Sequence, residues 1–85
     1  MNTRDAVRTF VLESFLFTND ASALVDADSL TEKGIVDSMG ALEIATFIED
    51  TFGFPVAEDE MLPENLDSVD RIVAYVERKQ KVAAA

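Results

Sequence analysis

The stretch DSMGALEIATFIEDTFG, Asp37 to Gly53, leaves this chain little choice of structure. Asp37 can cap the free amides of a helix. Met39, Leu42, Ala45, Ile48 and Phe52 recur at helical spacing, Ile44 widens the apolar arc, and Gly53 is placed to stop the run. The spacing predicts a helix over about 38–51 with that stripe turned to a core. A single amphipathic helix cannot bury its stripe alone, so the flanking segments must cover it.

They carry the means. In TRDAVRTFVLESFLF, Val7, Phe10, Val11 and Phe15 recur near helical spacing, which predicts a helix over about 3–16. TNDASALVDADSLTEKG mixes turn formers with isolated apolar residues and reads as a long loop pinned by Leu24 and Leu30. Pro55 disfavours helix at Phe54, so GFPVAEDE should leave the helix as a loop, and PENLDS should hold a short helical turn starting at Pro63. Val69, Ile72, Val73 and Val76 predict a last helix, with Ser68 or Asp67 as its cap and Arg78, Lys79 and Lys81 near its C-terminal end. The tail is expected to fray from about residue 80. Together these segments predict an all-α bundle in a single domain over 1–85, with three main helices, one short helix and a long first loop. Leu42, Ile44, Ala45, Ile48, Phe52, Ile72, Val73 and Val76 are its expected core residues.

The 85 residues include no cysteine and no histidine. Disulfides, thiolate and imidazole metal sites, and Ser-His-Asp or Cys-His catalysis are therefore outside this chain's means. The formal charge is −10, but its distribution says more: residues 20–70 hold 14 acidic residues against Lys33 alone, a formal −13. Such a surface should repel nucleic acid and anionic membranes and steer toward basic protein surfaces. No stretch approaches the ~20 apolar residues that cross a bilayer, and MNTRDAVRTF lacks the apolar segment of a secretory signal, so a cytoplasmic setting without membrane insertion is expected. DADSLTEKG offers Asp26 and Asp28 but places Leu30 at the next ligand position and lacks the central glycine, so it fails the calcium-loop pattern, and no metal site is expected.

Three Asp-Ser pairs stand at DADSL, IVDSM and NLDSV, with serines at 29, 38 and 68. Each could be a plain cap or turn. Ser68 begins the basic-ended last helix as an ordinary cap, and Ser29 lies inside the loop. Ser38 instead heads a helix that carries Glu43, Glu49 and Asp50, where an attached phosphate would lie beside free helix amides. As a nucleophile of its own Ser38 is poorly equipped, because the chain supplies no histidine as base. It fits better as the substrate of another enzyme.

With these features in place, the sequence resembles the phosphopantetheine-binding carrier proteins of the acyl and peptidyl carrier family over nearly its whole length. GIVDSMGALEIATFIEDTFG and FPVAEDEMLPENLDSVDRIVAYV carry the likeness, and Asp37, Ser38 and Met39 match the family's attachment motif. The resemblance implies a small four-helix carrier bundle and a non-catalytic role. It further implies that a separate phosphopantetheinyl transferase attaches 4'-phosphopantetheine to Ser38, with Asp37 and Met39 flanking it. The thiol of that group would hold an acyl or aminoacyl cargo as a thioester. Partner recognition would fall to Asp37, Met39, Gly40, Glu43, Glu49 and Asp50. Gly40 stands where many fatty-acid carriers have an acidic residue. DSMG and LPENLDSV are similar to D-alanyl carriers and to stand-alone aminoacyl or peptidyl carriers, which points to secondary metabolism. A glycine there weakens the helix and offers partners a close approach.

The implied partners are the transferase, an adenylating or acyl-loading enzyme, and a downstream synthase, transferase or tailoring enzyme, all met by a monomer. The charge pattern alone also admits an unmodified acidic module that docks on a basic partner. That alternative assigns Ser38 no role.

Overall fold

The computed structural model describes residues 2–84; Met1 and Ala85 lie outside it. Helix α1 spans Thr3–Val11 and starts where the Asn2 side chain accepts a hydrogen bond from the Asp5 amide, 2.8 Å. It continues as a wider π-helical turn over Leu12–Leu16 and stops at Phe17, whose φ of 53° is left-handed. The helix expected over 3–16 is present, with a change of pitch in its last turn. Helix α2 spans Ser38–Phe52, α3 Pro63–Leu66 and α4 Val69–Ala84, with short 3-10 turns at Ala21–Ala23 and Glu58–Glu60. Gly53, at φ 79°, ends α2, and Pro63 opens α3. The bounds of α4 run past residue 80, where the tail was expected to fray. Among the described residues every regular element is helical.

Helix α4 is the element on which α1 and α3 both pack. Val7, Val11 and Leu12 from α1 meet Val69, Ile72, Val73, Tyr75 and Val76 from α4 in one apolar cluster with Ile44 and Ile48 from α2. Leu24 and Leu30 are buried in the same cluster and pin the long loop as expected. The expected face of α2 needs correction in part. Met39 is 67 % and Leu42 50 % exposed, and Phe52 is only partly buried, whereas Ile44, Ala45 and Ile48 face inward as expected and Gly40 joins them. The helix carries apolar side chains on more than one face, so their spacing alone could not choose the buried one. Phe47 and Phe52 also lie outside the buried core, packed against its edge.

A charge cluster fastens the loop to the bundle. Arg4 donates to Asp26 at 2.7 Å and also bonds Asp70, while Arg8 bonds Asp26 and donates to the carbonyls of Leu24, 3.0 Å, and Ala21, 2.6 Å. Burial raises the Asp26 carboxyl, but the hydrogen bonds from Arg8 and Arg4 outweigh it and hold it below the usual range. The carboxylate that a calcium reading would have used is thus committed to two arginines. Asp26→Ala leaves the partly buried Arg8 without its counter-charge and is expected to destabilise the fold by about 2 kcal/mol. Asp28→Ala removes only an exposed 3.8 Å pair with Lys33 and should change stability by less than ~1 kcal/mol. Urea unfolding midpoints measured side by side check both.

Candidate functional site

The geometry begins with Asp37. Its extended backbone and its carboxylate, which accepts from the Gly40 amide at 2.9 Å, close the first turn of α2, and its carbonyl accepts from the Ala41 amide at 2.9 Å. Ser38 is therefore the first helical residue, and it is exposed. Helix geometry leaves the amides of Ser38 and Met39 without intrahelical acceptors, at the end of the macrodipole that favours an anion.

Gly40 makes that turn possible. It is buried, and a Cβ placed on it would lie 2.9 Å from Val36 Cγ1 and 3.0 Å from Phe15 Cε1. Phe15 belongs to the π-helical turn of α1, so the end of α1 packs directly against the turn that begins with Ser38. Gly40, expected as a partner contact, is instead buried against Val36 and Phe15.

Beside Ser38 a cleft of about 190 Å³ opens between the start of α2 and α3. Val36, Ala41, Met61, Leu62, Pro63 and Leu66 make most of its lining, with Asp37 and Ser38 on one side and Thr31 and Asp67 on another. Two anchors hold its walls. The first is Asp67, whose carboxylate accepts from the Ser29 hydroxyl, from the Thr31 amide at 3.0 Å and from the Thr31 hydroxyl at 2.9 Å, while its carbonyl accepts from the Leu30 amide at 2.7 Å. The second is Glu60, which accepts from Lys79 Nζ at 2.9 Å and from the Tyr75 hydroxyl at 3.1 Å, so the turn preceding Met61 is tied to α4. The Lys79 hydrogen bond is the main reason that the Glu60 carboxyl lies below its usual range. Burial pushes the Tyr75 hydroxyl up to about 12, and Glu60 beside it adds to that rise.

The three Asp-Ser serines now separate. Ser29 is spent on Asp67, and Ser68 is 3 % exposed and accepts from the Arg71 amide at 3.1 Å as the cap of α4. Ser38 is the exposed one. Of the other expected site residues, Met39, Glu43 and Asp50 line one shallow groove on the outer face of α2. Glu49 is exposed but turned to the following loop, its carboxylate accepting from the Val56 amide at 2.8 Å. Asp67 was read only as a candidate cap. Its tie to a loop 36 residues earlier in the chain has no local sequence pattern that could have shown it.

Burial raises the Asp67 carboxyl, but the hydrogen bonds from Ser29 and Thr31 more than offset this, so it stays below the usual range. A carboxyl whose folded pKa is depressed stabilises the fold above its unfolded pKa of about 4 and loses that contribution as pH falls through the folded value. The stability difference between wild type and Asp67→Asn should therefore be constant near neutral pH and shrink below about pH 4. Urea unfolding across an acid series measures it, and a difference independent of pH would show that the clasp does not use the charge.

No family model matches the chain. The D-alanyl carrier protein of Abiotrophia defectiva is 39 % identical over 56 residues, covering 66 % of this chain and 68 % of that protein. The D-alanyl carrier protein of Streptococcus pyogenes serotype M1 is 34 % identical over 77 residues, covering 88 % of this chain and 96 % of that protein. In structure, the holo acyl carrier protein of Nitrosomonas europaea, determined by NMR in solution, superposes with a TM-score of 0.77 over 95 % of this chain and 99 % of that one. At 23 % identity that likeness establishes the all-helical carrier fold.

Proposed function

Because this chain belongs to the carrier-protein family, we propose that Ser38 is the attachment point of its 4'-phosphopantetheine, and that the protein presents an acyl or aminoacyl thioester to biosynthetic enzymes. The observation that carries the assignment is the exposed position of Ser38 at the capped start of α2, while Ser29 and Ser68 are held inside hydrogen-bonded structure. When bound, the group supplies the thiol that holds the cargo, chemistry that a chain without cysteine cannot supply itself.

The residues present suit such a group. Asp37 fixes the first turn so that Ser38 Oγ is open to an outside enzyme. The Ser38 oxygen forms a bond to phosphorus as the pyrophosphate linkage of coenzyme A breaks; 3',5'-ADP leaves, and the hydroxyl proton passes to a base on the transferase. The free amides at the head of α2 then favour the diester charge. The mainly apolar cleft beside Ser38 suits the hydrocarbon portion of an attached chain.

The chain acts as a carrier and leaves catalysis to its partners: the transferase, an adenylating or acyl-loading enzyme, and an enzyme that removes the cargo. The D-alanyl names of its relatives support an aminoacyl cargo. A monomer working in the cytoplasm, in secondary metabolism, completes the proposal. Among the described residues no helix is long and apolar enough to cross a membrane. Incubation with coenzyme A and a broad-specificity phosphopantetheinyl transferase should add the mass of one phosphopantetheine to the intact protein. A folded protein that gains no mass with several competent transferases would overturn the reading.

A further inference from the structure

Five residues along a regular α-helix turn it through about 500°, which would leave Phe15 roughly 140° around α1 from Phe10. The π-helical turn over Leu12–Leu16 changes that, because its wider closure makes residues five apart neighbours. Phe15 meets Phe10 edge to face, ring centroids 5.7 Å apart, and Phe10 stacks on Phe47 of α2 at 4.2 Å. Phe15 Cε1 and Val36 Cγ1 also close on Gly40, in the first turn of α2. The Gly40 amide donates to Asp37 Oδ1, the bond that caps the turn headed by Ser38. That turn holds little stability of its own: glycine is a poor helix former, and terminal turns open at small cost. Its closure depends on what packs against Gly40.

We propose that Phe15 is a positioning residue for the attachment reaction: by packing on Gly40 it keeps the first turn of α2 closed and so holds Ser38 Oγ where a transferase requires it. The proposal rests on the assignment of Ser38 as the modified residue. Phe15 acts through Gly40 and the Asp37 cap rather than on the reacting atoms. Ring and glycine are matched. A side chain at position 40 would press on the ring, whereas loss of the ring would leave a glycine turn with Val36 alone against it. The transferase is served only by molecules whose turn is closed, so the rate of attachment follows that population.

Two measurements on the same variants test it: the kcat/KM of modification with purified transferase and coenzyme A, and amide exchange of the unmodified protein read by NMR. In Phe15→Ala the Gly40 and Ala41 amides should exchange near the rate of an unfolded chain, while that of Ile48, in the middle of α2, stays protected. With the turn closed in about a tenth of the molecules, kcat/KM should fall about tenfold, through KM. Phe15→Leu should fall in the same direction by a smaller factor, and it decides the matter if Phe15→Ala does not fold. Adding Gly40→Ala to Phe15→Ala should recover about threefold, since the new Cβ enters vacated space and alanine favours the helix. In the wild-type background the same change crowds the ring and should lower the rate. Ile72→Val, in the core on α4, should lower the melting temperature and leave modification and first-turn exchange as in wild type. Normal modification of folded Phe15 variants would overturn the proposal while leaving Ser38 as the site. Slow modification with the first turn still protected, unrelieved by Gly40→Ala, would overturn it too, by showing that Phe15 touches the enzyme. Absence of modification in wild type would overturn it together with the carrier reading.

Discussion

Ser38→Ala is expected to abolish phosphopantetheine attachment outright, while Ser29→Ala and Ser68→Ala still gain one group per chain. The loss would be chemical, because the helix that Ser38 heads is capped by Asp37 and the Ser38 side chain is exposed. Removing its hydroxyl should alter stability by no more than about 0.5 kcal/mol. Ser68→Ala carries the opposite profile. It removes a buried cap from α4 and should cost about 1 kcal/mol with no effect on the site of attachment. Intact-mass measurement after incubation with transferase and coenzyme A, alongside a thermal melt of each variant, separates the two behaviours. Full labelling of the Ser38→Ala protein would move the attachment point elsewhere.

Gly40→Asp should be among the most damaging single changes in α2, lowering stability by about 3 kcal/mol. The added Cβ alone meets Val36 at 2.9 Å and Phe15 at 3.0 Å, inside a buried contact between α1 and α2. Overpacking of that kind costs roughly 1–3 kcal/mol, against a gain of less than ~1 kcal/mol from replacing glycine within a helix. A carboxylate adds the cost of burying charge among apolar neighbours. For a domain of this size the melting temperature should fall by more than about 10 °C. Gly40→Ala should show a smaller loss, near 1 kcal/mol, because it brings the crowding without the charge. Phe15→Ala combined with Gly40→Asp should restore part of what the single change loses, since one of the two crowding groups is gone. Additive losses in that double-mutant cycle would show that the two residues do not press on one another.

Much of this architecture was legible in local chemistry. Asp37 and Gly53 bracket α2 because a carboxylate suits free amides and a glycine suits a left-handed stop, and both effects act within a few residues. Pro63 opened α3, and Leu24 and Leu30 anchored the loop, for equally local reasons. Ser38 stood out from its two counterparts by context, and the exposure of that serine supports the choice. What stayed hidden was set by residues distant in sequence. The rotation of α2 depended on which of its apolar faces met α4 and α1, and Met39 and Leu42 fell outside as a result. Gly40 looked like an accommodation to partners until Phe15 and Val36 were seen against it. The arginine pair on Asp26 and the Asp67 tie to Ser29 and Thr31 join positions 18 to 38 residues apart, beyond the reach of any periodicity.

Ile44, Ile48, Ile72 and Tyr75 pack the middle of the bundle so closely that each keeps at most 1 % of its surface accessible. On the carrier reading, a passenger held on Ser38 has the apolar cleft between α2 and α3 beside it rather than a space in this packed middle, and it waits there for the next enzymatic encounter. The −10 charge, by drawing basic collision partners in faster than neutral diffusion would, shortens that wait.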